Sequence, residues 1–194
     1  MRAIVVARHA ESELNVQTVL NGDPSVAVAL TATGREQARR LGRDVGSVEL
    51  VAHSEFGRTR QTAELAWPDV PKLVVPELNE IRFGSFEGTR WRDGYDEWTR
   101  RSGPAEDCPG GGESRVAAIE RYLRGYRVLL ERLEDRVALV AHGAHVRYLL
   151  LSREGLPPVS VLEDVPFATG FELTRDELAG AIGVIEAWAA APAF

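Results

Sequence analysis

The sequence is poor in several features, and each scarcity excludes a class of protein. Cys108 is the single cysteine among 194 residues, so no intramolecular disulfide can form. No apolar run approaches the roughly 20 residues that a membrane-spanning helix needs. The N-terminus lacks the basic segment and apolar core of a secretory signal. These observations predict a cytoplasmic protein without a membrane anchor.

Positive charge is also scarce and scattered. The chain carries 23 basic and 29 acidic residues, which gives a formal charge of −6, and Lys72 is the only lysine beside 22 arginines. Nucleic acids and anionic membranes are bound by an extended positive surface. The sequence therefore predicts no nucleic-acid or membrane partner, and it restricts any anion site to a local cluster.

Three short apolar runs, at residues 4–7, 48–52 and 137–141, are typical of buried strands, and a histidine lies at or next to the polar position after each. Helical patterns lie between them, including residues 55–67 and 113–133. This alternation predicts an α/β fold, a three-layer α/β/α sandwich with a mostly parallel central sheet and helices on both faces. The carboxyl ends of such strands open onto one crevice, where ligands bind.

We predict one domain over residues 1–194 with a small insertion at about 84–112. The insertion is rich in Trp, Arg, Gly, Asp and Pro and has no sustained period, which is typical of a functional lid. Residues 171–174 and 181–185 predict a final pair of strands, antiparallel to one another.

Arg8 and His9 follow the first predicted strand directly. A guanidinium presents a planar fork of donors to a phosphate, and an unprotonated imidazole is a nucleophile near neutral pH. The pair therefore suits phosphoryl transfer, although two residues alone carry little weight.

Further motifs follow in an order that resembles the histidine phosphatase superfamily, also called phosphoglycerate-mutase-like. They are Arg8-His9-Ala10-Glu11-Ser12 with Asn15, Asn21-Gly22-Asp23, Ser54-Glu55-Phe56-Gly57-Arg58, Glu77-Leu78-Asn79-Glu80, Gly111-Gly112-Glu113-Ser114 and Leu139-Val140-Ala141-His142-Gly143. The resemblance runs from about residue 2 to residue 150.

The resemblance implies a role for each matched position. His9 would take up the phosphoryl group, Arg8, Arg58 and His142 would surround its oxygens, and Glu80 would be the general acid and then the base that activates water. Such chemistry needs no metal or cofactor, because fixed cationic donors stabilise the charge of the phosphoryl group in flight. We further expect substrate contacts from six residues: Asn15, Gly22, Ser54, Gly143, Arg82 and Trp91.

Positions 10 and 14 depart from the family pattern, and Leu14 stands where an aromatic residue is common before Asn15. Ala10 stands where glycine is usual, and glycine there allows a positive φ or a close approach of the backbone to phosphate. We expect activity to survive this smallest of changes. His142 and His145 are spaced as helical neighbours, but without a third ligand they predict no metal site.

Three functions fit the motifs. The first is a metal-independent phosphatase that acts on a small phosphomonoester, and the second is a phosphoglycerate mutase, which usually has Gln where this chain has Glu11. The third is a phosphate-binding module without turnover, favoured only by Ala10. A compact phosphohistidine-protein phosphatase is disfavoured by the presence of Glu80.

Homodimers occur in the family, but no residue pattern here marks an interface.

Overall fold

A five-stranded sheet forms the centre of the computed structural model, which describes residues 1–161 and 163–194. The strands are β1 (Ala3–Arg8), β2 (Leu50–His53), β3 (Lys72–Val74), β4 (Arg136–Ala141) and β5 (Gly170–Thr174). Their order is β3-β2-β4-β1-β5, with β1 to β4 parallel and β5 antiparallel to β1. The predicted mostly parallel sheet is confirmed.

Helices cover both faces of this sheet. They are α1 (Glu13–Val16), α2 (Ala32–Val45), α3 (Gly57–Ala66), α4 (Asp96–Arg101), α5 (Arg115–Leu130), α6 (Gly143–Arg153) and α7 (Arg175–Ala190). Helices α2 and α3 pack together on one face, while α7 packs against α5 and α6 on the other. This arrangement confirms the three-layer α/β/α sandwich.

The strand side chains alternate between two apolar layers. In β4, Val137 and Leu139 belong to the core beneath α5, α6 and α7, whereas Ala138 and Val140 belong to the core beneath α2 and α3. All four are buried. Because both faces are covered, the strand reads as a continuous apolar run in the sequence.

The register of the sheet brings three strand ends to one edge. Arg8 at the end of β1 pairs with Ala141 at the end of β4, and His53 at the end of β2 pairs with Val140. The residues that follow these strands, His9, Ser54 and His142, therefore emerge side by side. This is the juxtaposition that the sequence predicts.

Two predictions about the C-terminal half are wrong in detail. Residues 181–185 are not a strand, because they lie in α7, where Ala181, Ile182 and Ile185 are buried against the core. A run of only five mostly apolar residues is too short to show a helical or a strand period, so a buried helix segment and a buried strand look alike in the sequence. The helix predicted over 113–133 is α5, which ends at Leu130 and leaves Leu133 92% exposed.

The segment 84–112 has little regular structure. It holds a 3₁₀ turn at Gly84–Phe86, a distorted turn at Trp91–Tyr95 and the short helix α4. Gly94 has φ +115° inside the distorted turn, a conformation that side chains other than glycine rarely adopt. Across the described parts of the chain, no helix is both long and apolar enough to cross a bilayer.

Candidate active site

A cavity of about 1290 Å³ opens at the carboxyl edge of the sheet. Its floor is formed by Arg8, His9, Arg58 and Glu80, with Gly143 beside them. One wall comes from the segment 84–112, and another comes from residues 160–161 and 163–167. The cavity is therefore built where the topology of a parallel sheet predicts a ligand site.

His9 is held in a single tautomer by its backbone. Its Nδ1 lies 2.8 Å from the carbonyl oxygen of Ala10, which can only accept a hydrogen bond. Nδ1 therefore carries the proton, and the lone pair lies on Nε2. Arg58 Nε donates to this Nε2 at 3.2 Å. The nitrogen that faces the guanidinium is thus the one that can attack an electrophile.

Arg58 is buried and aligned by a loop residue. Its Nη1 donates to Asn21 Oδ1 at 2.6 Å and its Nη2 to the Asn21 carbonyl at 3.0 Å. Nη2 also lies 3.3 Å from His142 Nδ1. The guanidinium therefore spans the two histidines, in the place where the oxygens of a phosphoryl group on His9 would lie.

Arg8 lines the same cavity as Arg58. Its Nη1 donates to the Val165 carbonyl at 2.8 Å and lies 3.8 Å from a carboxylate oxygen of Asp164. The guanidinium carbon lies 4.0 Å from the centroid of the Phe167 ring. Its Nε is buried and has no hydrogen-bond partner among the described residues. One donor of Arg8 is therefore free to bind a ligand oxygen.

His142 is positioned by a chain of hydroxyl groups. Its Nε2 lies 2.8 Å from Ser54 Oγ, which lies 2.8 Å from Thr59 Oγ1. Its backbone N–H donates to His145 Nε2 at 3.1 Å. Because Nε2 is engaged behind the ring, Nδ1 is the atom that faces the cavity floor.

Glu80 lies at the edge of this cluster. Its Oε2 is 3.8 Å from His142 Nδ1, and its Oε1 accepts from the backbone N–H of Ile81 at 3.0 Å. Arg121 of α5 donates to the Glu80 carbonyl at 3.2 Å and pairs with Glu113 at 2.7 Å. The loop that carries the carboxyl group is thus fastened to a helix.

Burial controls the protonation of this site. It raises the pKa of Glu80 above its usual value, although Arg58 and Arg8 oppose the shift. Burial also lowers the pKa of both His9 and His142, and the charge of Arg58 adds to that effect. The cluster therefore combines neutral imidazoles with fixed guanidinium charges, which suits an anionic ligand.

A family model with the description Histidine phosphatase superfamily (branch 1) matches residues 4–169. The chain belongs to this superfamily. The match supports an assignment as a phosphoric monoester hydrolase and explains why the motifs occur in one order.

Relatives in this superfamily carry two kinds of name. A 2,3-bisphosphoglycerate-dependent phosphoglycerate mutase of Methylobacterium sp. (strain 4-46) is 31% identical over 172 residues, covering 80% of this chain and 82% of the relative. An adenosylcobalamin/alpha-ribazole phosphatase of Escherichia coli (strain K12) is 30% identical over 154 residues, covering 77% and 72%. The crystal structure of the alpha-ribazole phosphatase from Shigella flexneri matches with a TM-score of 0.72 and 26% identity, covering 88% of this chain and 89% of that one.

The five predicted catalytic residues lie together at the cavity. Arg8, His9, Arg58 and Glu80 line it, and His142 lies directly behind, in contact with Arg58 and Glu80. Their predicted roles remain proposals. Among the predicted substrate-binding residues, Asn15, Gly143 and Trp91 also line the cavity.

The other three predicted substrate-binding residues are not among the residues that line the cavity, and their substrate contacts stay predictions. Gly22 is packed against the Ile81 backbone, and its N–H donates to the Glu87 carboxylate at 2.9 Å. Ser54 is fully buried behind His142. The Arg82 side chain is 65% exposed and is directed toward Glu113 at 3.8 Å.

Sequence reasoning missed several residues that support the site. Asn21 belongs to the Asn21-Gly22-Asp23 motif, for which the sequence predicts no role at that position. The structure shows that it aligns Arg58. Residues 163–167 form the wall above Arg8 without any recognisable motif. Tyr122 and Arg115 line the cavity from α5, where their positions resemble those of ordinary core residues.

His145 and Cys108 have packing roles. The His145 ring lies 4.8 Å from that of Tyr122, and Cys108 Sγ donates to the Phe83 carbonyl at 3.0 Å. Within residues 1–161 and 163–194, no group of three or more His, Cys, Asp and Glu side chains is arranged to hold a metal ion.

Proposed function

We propose that this protein is a metal-independent, cytoplasmic phosphomonoesterase that acts through a phosphohistidine on a small phosphorylated metabolite. The observation that carries the proposal is the tautomer of His9 and the position of its Nε2 atom. Its Nε2 bears a lone pair and lies in a pocket with the Arg58 guanidinium 3.2 Å away. This is the arrangement that a nucleophilic imidazole requires in front of a phosphate.

In the first step, His9 Nε2 attacks phosphorus and the bond from phosphorus to the ester oxygen breaks. Arg8, Arg58 and His142 stabilise the negative charge spread over the three equatorial oxygens. Glu80, whose pKa is raised by burial, donates its proton to the leaving oxygen as the alcohol departs. The products are phosphohistidine, free alcohol and the Glu80 carboxylate.

In the second step, the Glu80 carboxylate accepts a proton from water, whose oxygen attacks the phosphohistidine. The bond from phosphorus to nitrogen breaks, and inorganic phosphate leaves. Glu80 is again protonated and His9 again has its lone pair, so the cycle closes without a cofactor. The negative charge of bound phosphate also favours a protonated His142, which then donates from Nδ1.

The test is turnover of p-nitrophenyl phosphate in excess EDTA, with His9→Ala as the paired variant. We expect the wild type to release phosphate and His9→Ala to lose at least about 10³-fold in kcat/KM. Loss of wild-type activity in EDTA would contradict metal independence. Absence of turnover across a broad panel of phosphomonoesters would favour the module that only binds phosphate.

The alternative is a phosphoglycerate mutase, which the name of the Methylobacterium relative supports. In that reaction the phosphohistidine returns its group to a second hydroxyl of a sugar acid. Glu11, which stands where mutases usually have Gln, disfavours this alternative. Its carboxylate accepts a hydrogen bond from Thr31 Oγ1 at 2.6 Å, and Glu11 is not among the residues that line the cavity. Incubation with 3-phosphoglycerate decides: 2-phosphoglycerate without net loss of organic phosphate would identify a mutase.

A further inference from the structure

One face of α5 forms the wall of the cavity behind the reacting groups. Arg115, Ala118 and Tyr122, spaced at i, i+3 and i+7, all line the cavity. At the rise of an α-helix, the two ends of this wall are roughly 10 Å apart. The small side chain of Ala118 leaves space between them.

Tyr122 presents a hydroxyl group without a partner. The side chain is 1% exposed, and its Oη accepts and donates no hydrogen bond among the described residues. Burial and the nearby Glu80 raise the pKa of this phenol well above its usual value, so the group keeps its proton. An unpaired buried hydroxyl is costly unless a ligand completes it.

Arg115 presents a cation without a close carboxylate. Its Nη1 donates to the Thr99 carbonyl at 3.1 Å, and its Nη2 lies within hydrogen-bond distance of the Ser102 carbonyl at 2.6 Å, Ser102 Oγ at 2.7 Å and the Gly103 carbonyl at 3.3 Å, so the side chain holds the end of α4. The guanidinium carbon lies 5.2 Å from the centroid of the Trp98 ring and 4.8 Å from that of Phe194. These partners are uncharged, and within the described chain no carboxylate oxygen lies within 4.0 Å of the guanidinium. The residue is only 5% exposed, and its Nε is buried and has no hydrogen-bond partner among the described residues.

A buried guanidinium with neutral partners is stabilised by an added negative charge. The catalytic floor already accommodates the phosphoryl group with Arg8 and Arg58. Arg115 lies about two helical turns from Tyr122 along α5, and Tyr148 also lines the cavity. A second anion carried by the same substrate therefore has a distinct place to bind.

We infer that the α5 wall binds the leaving group, with Tyr122 Oη donating to an acceptor along its length and Arg115 pairing with a carboxylate at its far end. The inference rests on the proposed phosphatase function and specifies its substrate class. The preferred substrates are phosphomonoesters of extended alcohols or phenols that carry a carboxylate away from the ester.

The experiment compares phenyl phosphate with 4-(carboxymethyl)phenyl phosphate, whose ester chemistry is nearly the same. We expect the wild type to prefer the carboxylated ester, and Arg115→Gln to reduce the ratio of the two kcat/KM values roughly tenfold, the loss of one charge-assisted contact. Arg115→Lys is expected to keep part of the preference. Arg124→Gln, on the exposed side of α5, is the matched control and should leave the ratio unchanged.

Tyr122→Phe is tested with ethyl phosphate and 2-hydroxyethyl phosphate. We expect a loss of several-fold in kcat/KM for the hydroxylated ester alone. Tyr126→Phe is the control, because the Tyr126 hydroxyl donates to the His145 carbonyl and does not line the cavity. A hydroxyl that serves packing only would give equal losses for both esters.

Two results would overturn the inference. One is a wild type without preference for the carboxylated ester. The other is an Arg115→Gln variant in which both esters lose activity equally, as expected if Arg115 only holds α4. Calorimetry with benzylphosphonate and its 4-carboxymethyl derivative measures binding without turnover. It therefore tests the carboxylate subsite independently of the phosphatase activity. A preference in binding that depends on Arg115, without turnover of any ester, would retain the subsite and reject the phosphatase.

Discussion

The floor of the cavity and the segment 84–112 both carry arginines, but they hold them differently. Arg58 in the floor is buried and its donors have partners at 2.6 to 3.3 Å. Arg90 and Arg92, in the segment 84–112, also line the cavity, but both are exposed. The floor therefore holds its charged groups in fixed positions for the reaction, whereas the arginines of the segment 84–112 can change position to bind different substrates.

The difference has a physical basis in the fold. Arg8 ends β1, His9 follows it and Arg58 lies in the first turn of α3, so the sheet and α3 fix their backbones. The loop that carries Glu80 is held by Arg121 of α5. Trp91 lies in a turn with distorted helical geometry and remains 44% exposed. Donors that are fixed before the substrate arrives stabilise a transition state without reorganisation, whereas exposed side chains can adapt to several leaving groups.

After loss of the nucleophile in His9→Ala, Glu80→Gln is expected to give the largest effect among variants of the floor. The variant cannot donate a proton to a poor leaving group, so kcat/KM for an alkyl phosphate should fall by about 10²–10⁴. The effect should be much smaller for p-nitrophenyl phosphate, whose phenolate leaves without a proton.

The pH profile provides a second readout for Glu80. Because its pKa is raised, the wild type should keep a protonated donor above the usual carboxyl range and lose activity as the pH rises through that pKa. Glu80→Gln should lack this decline. Equal losses for both esters, or an unchanged profile, would show that Glu80 is not the acid.

Arg58→Lys sharpens the comparison directly when it is paired with Arg92→Lys. Lysine keeps the charge but not the fork that reaches both histidines, so kcat should fall by about 10²–10³ in the floor variant. The Arg92 variant should change kcat little, because exposed cations are screened by solvent. Equal effects on kcat would remove the distinction between the two regions.

Ser54→Ala tests the support of His142. The variant removes the hydroxyl group 2.8 Å from His142 Nε2 and leaves the cavity lining untouched. We expect kcat to fall about tenfold, the cost of one buried hydrogen bond, with KM nearly unchanged. A change confined to KM would instead support the direct substrate contact that the sequence predicts for Ser54.

Ala10→Gly is expected to have the smallest effect on activity. The methyl group is fully buried, position 10 has no positive φ, and the Ala10 N–H donates to Thr62 Oγ1 at 3.0 Å. Glycine should therefore lower the free energy of unfolding by about 1 kcal/mol through the lost methyl group and added chain entropy, with kcat/KM unchanged. Denaturant unfolding and steady-state kinetics on the same preparation check both parts.

The residues at the strand ends could be predicted from the sequence, whereas the residues that support them or line the cavity from a helix could not. Strand ends at Arg8, His53 and Ala141 follow from local apolar runs, and the topology of a parallel sheet places the residues after them at one edge. The role of Ser54 depends on the direction of its side chain after β2, which composition does not encode. Arg115 and Tyr122 were not predicted because helical spacing alone does not distinguish a cavity wall from a core.

The central claim is that His9 Nε2 carries the phosphoryl group during turnover. The most direct measurement is rapid mixing with a phosphomonoester, a quench in alkaline denaturant that preserves phosphohistidine, and mass spectrometry of the peptide that contains residue 9. The account predicts one added phosphoryl group on His9 in the wild type, more in Glu80→Gln with p-nitrophenyl phosphate, and none in His9→Ala. A phosphoryl group on another residue, or turnover that persists in His9→Ala, would contradict it.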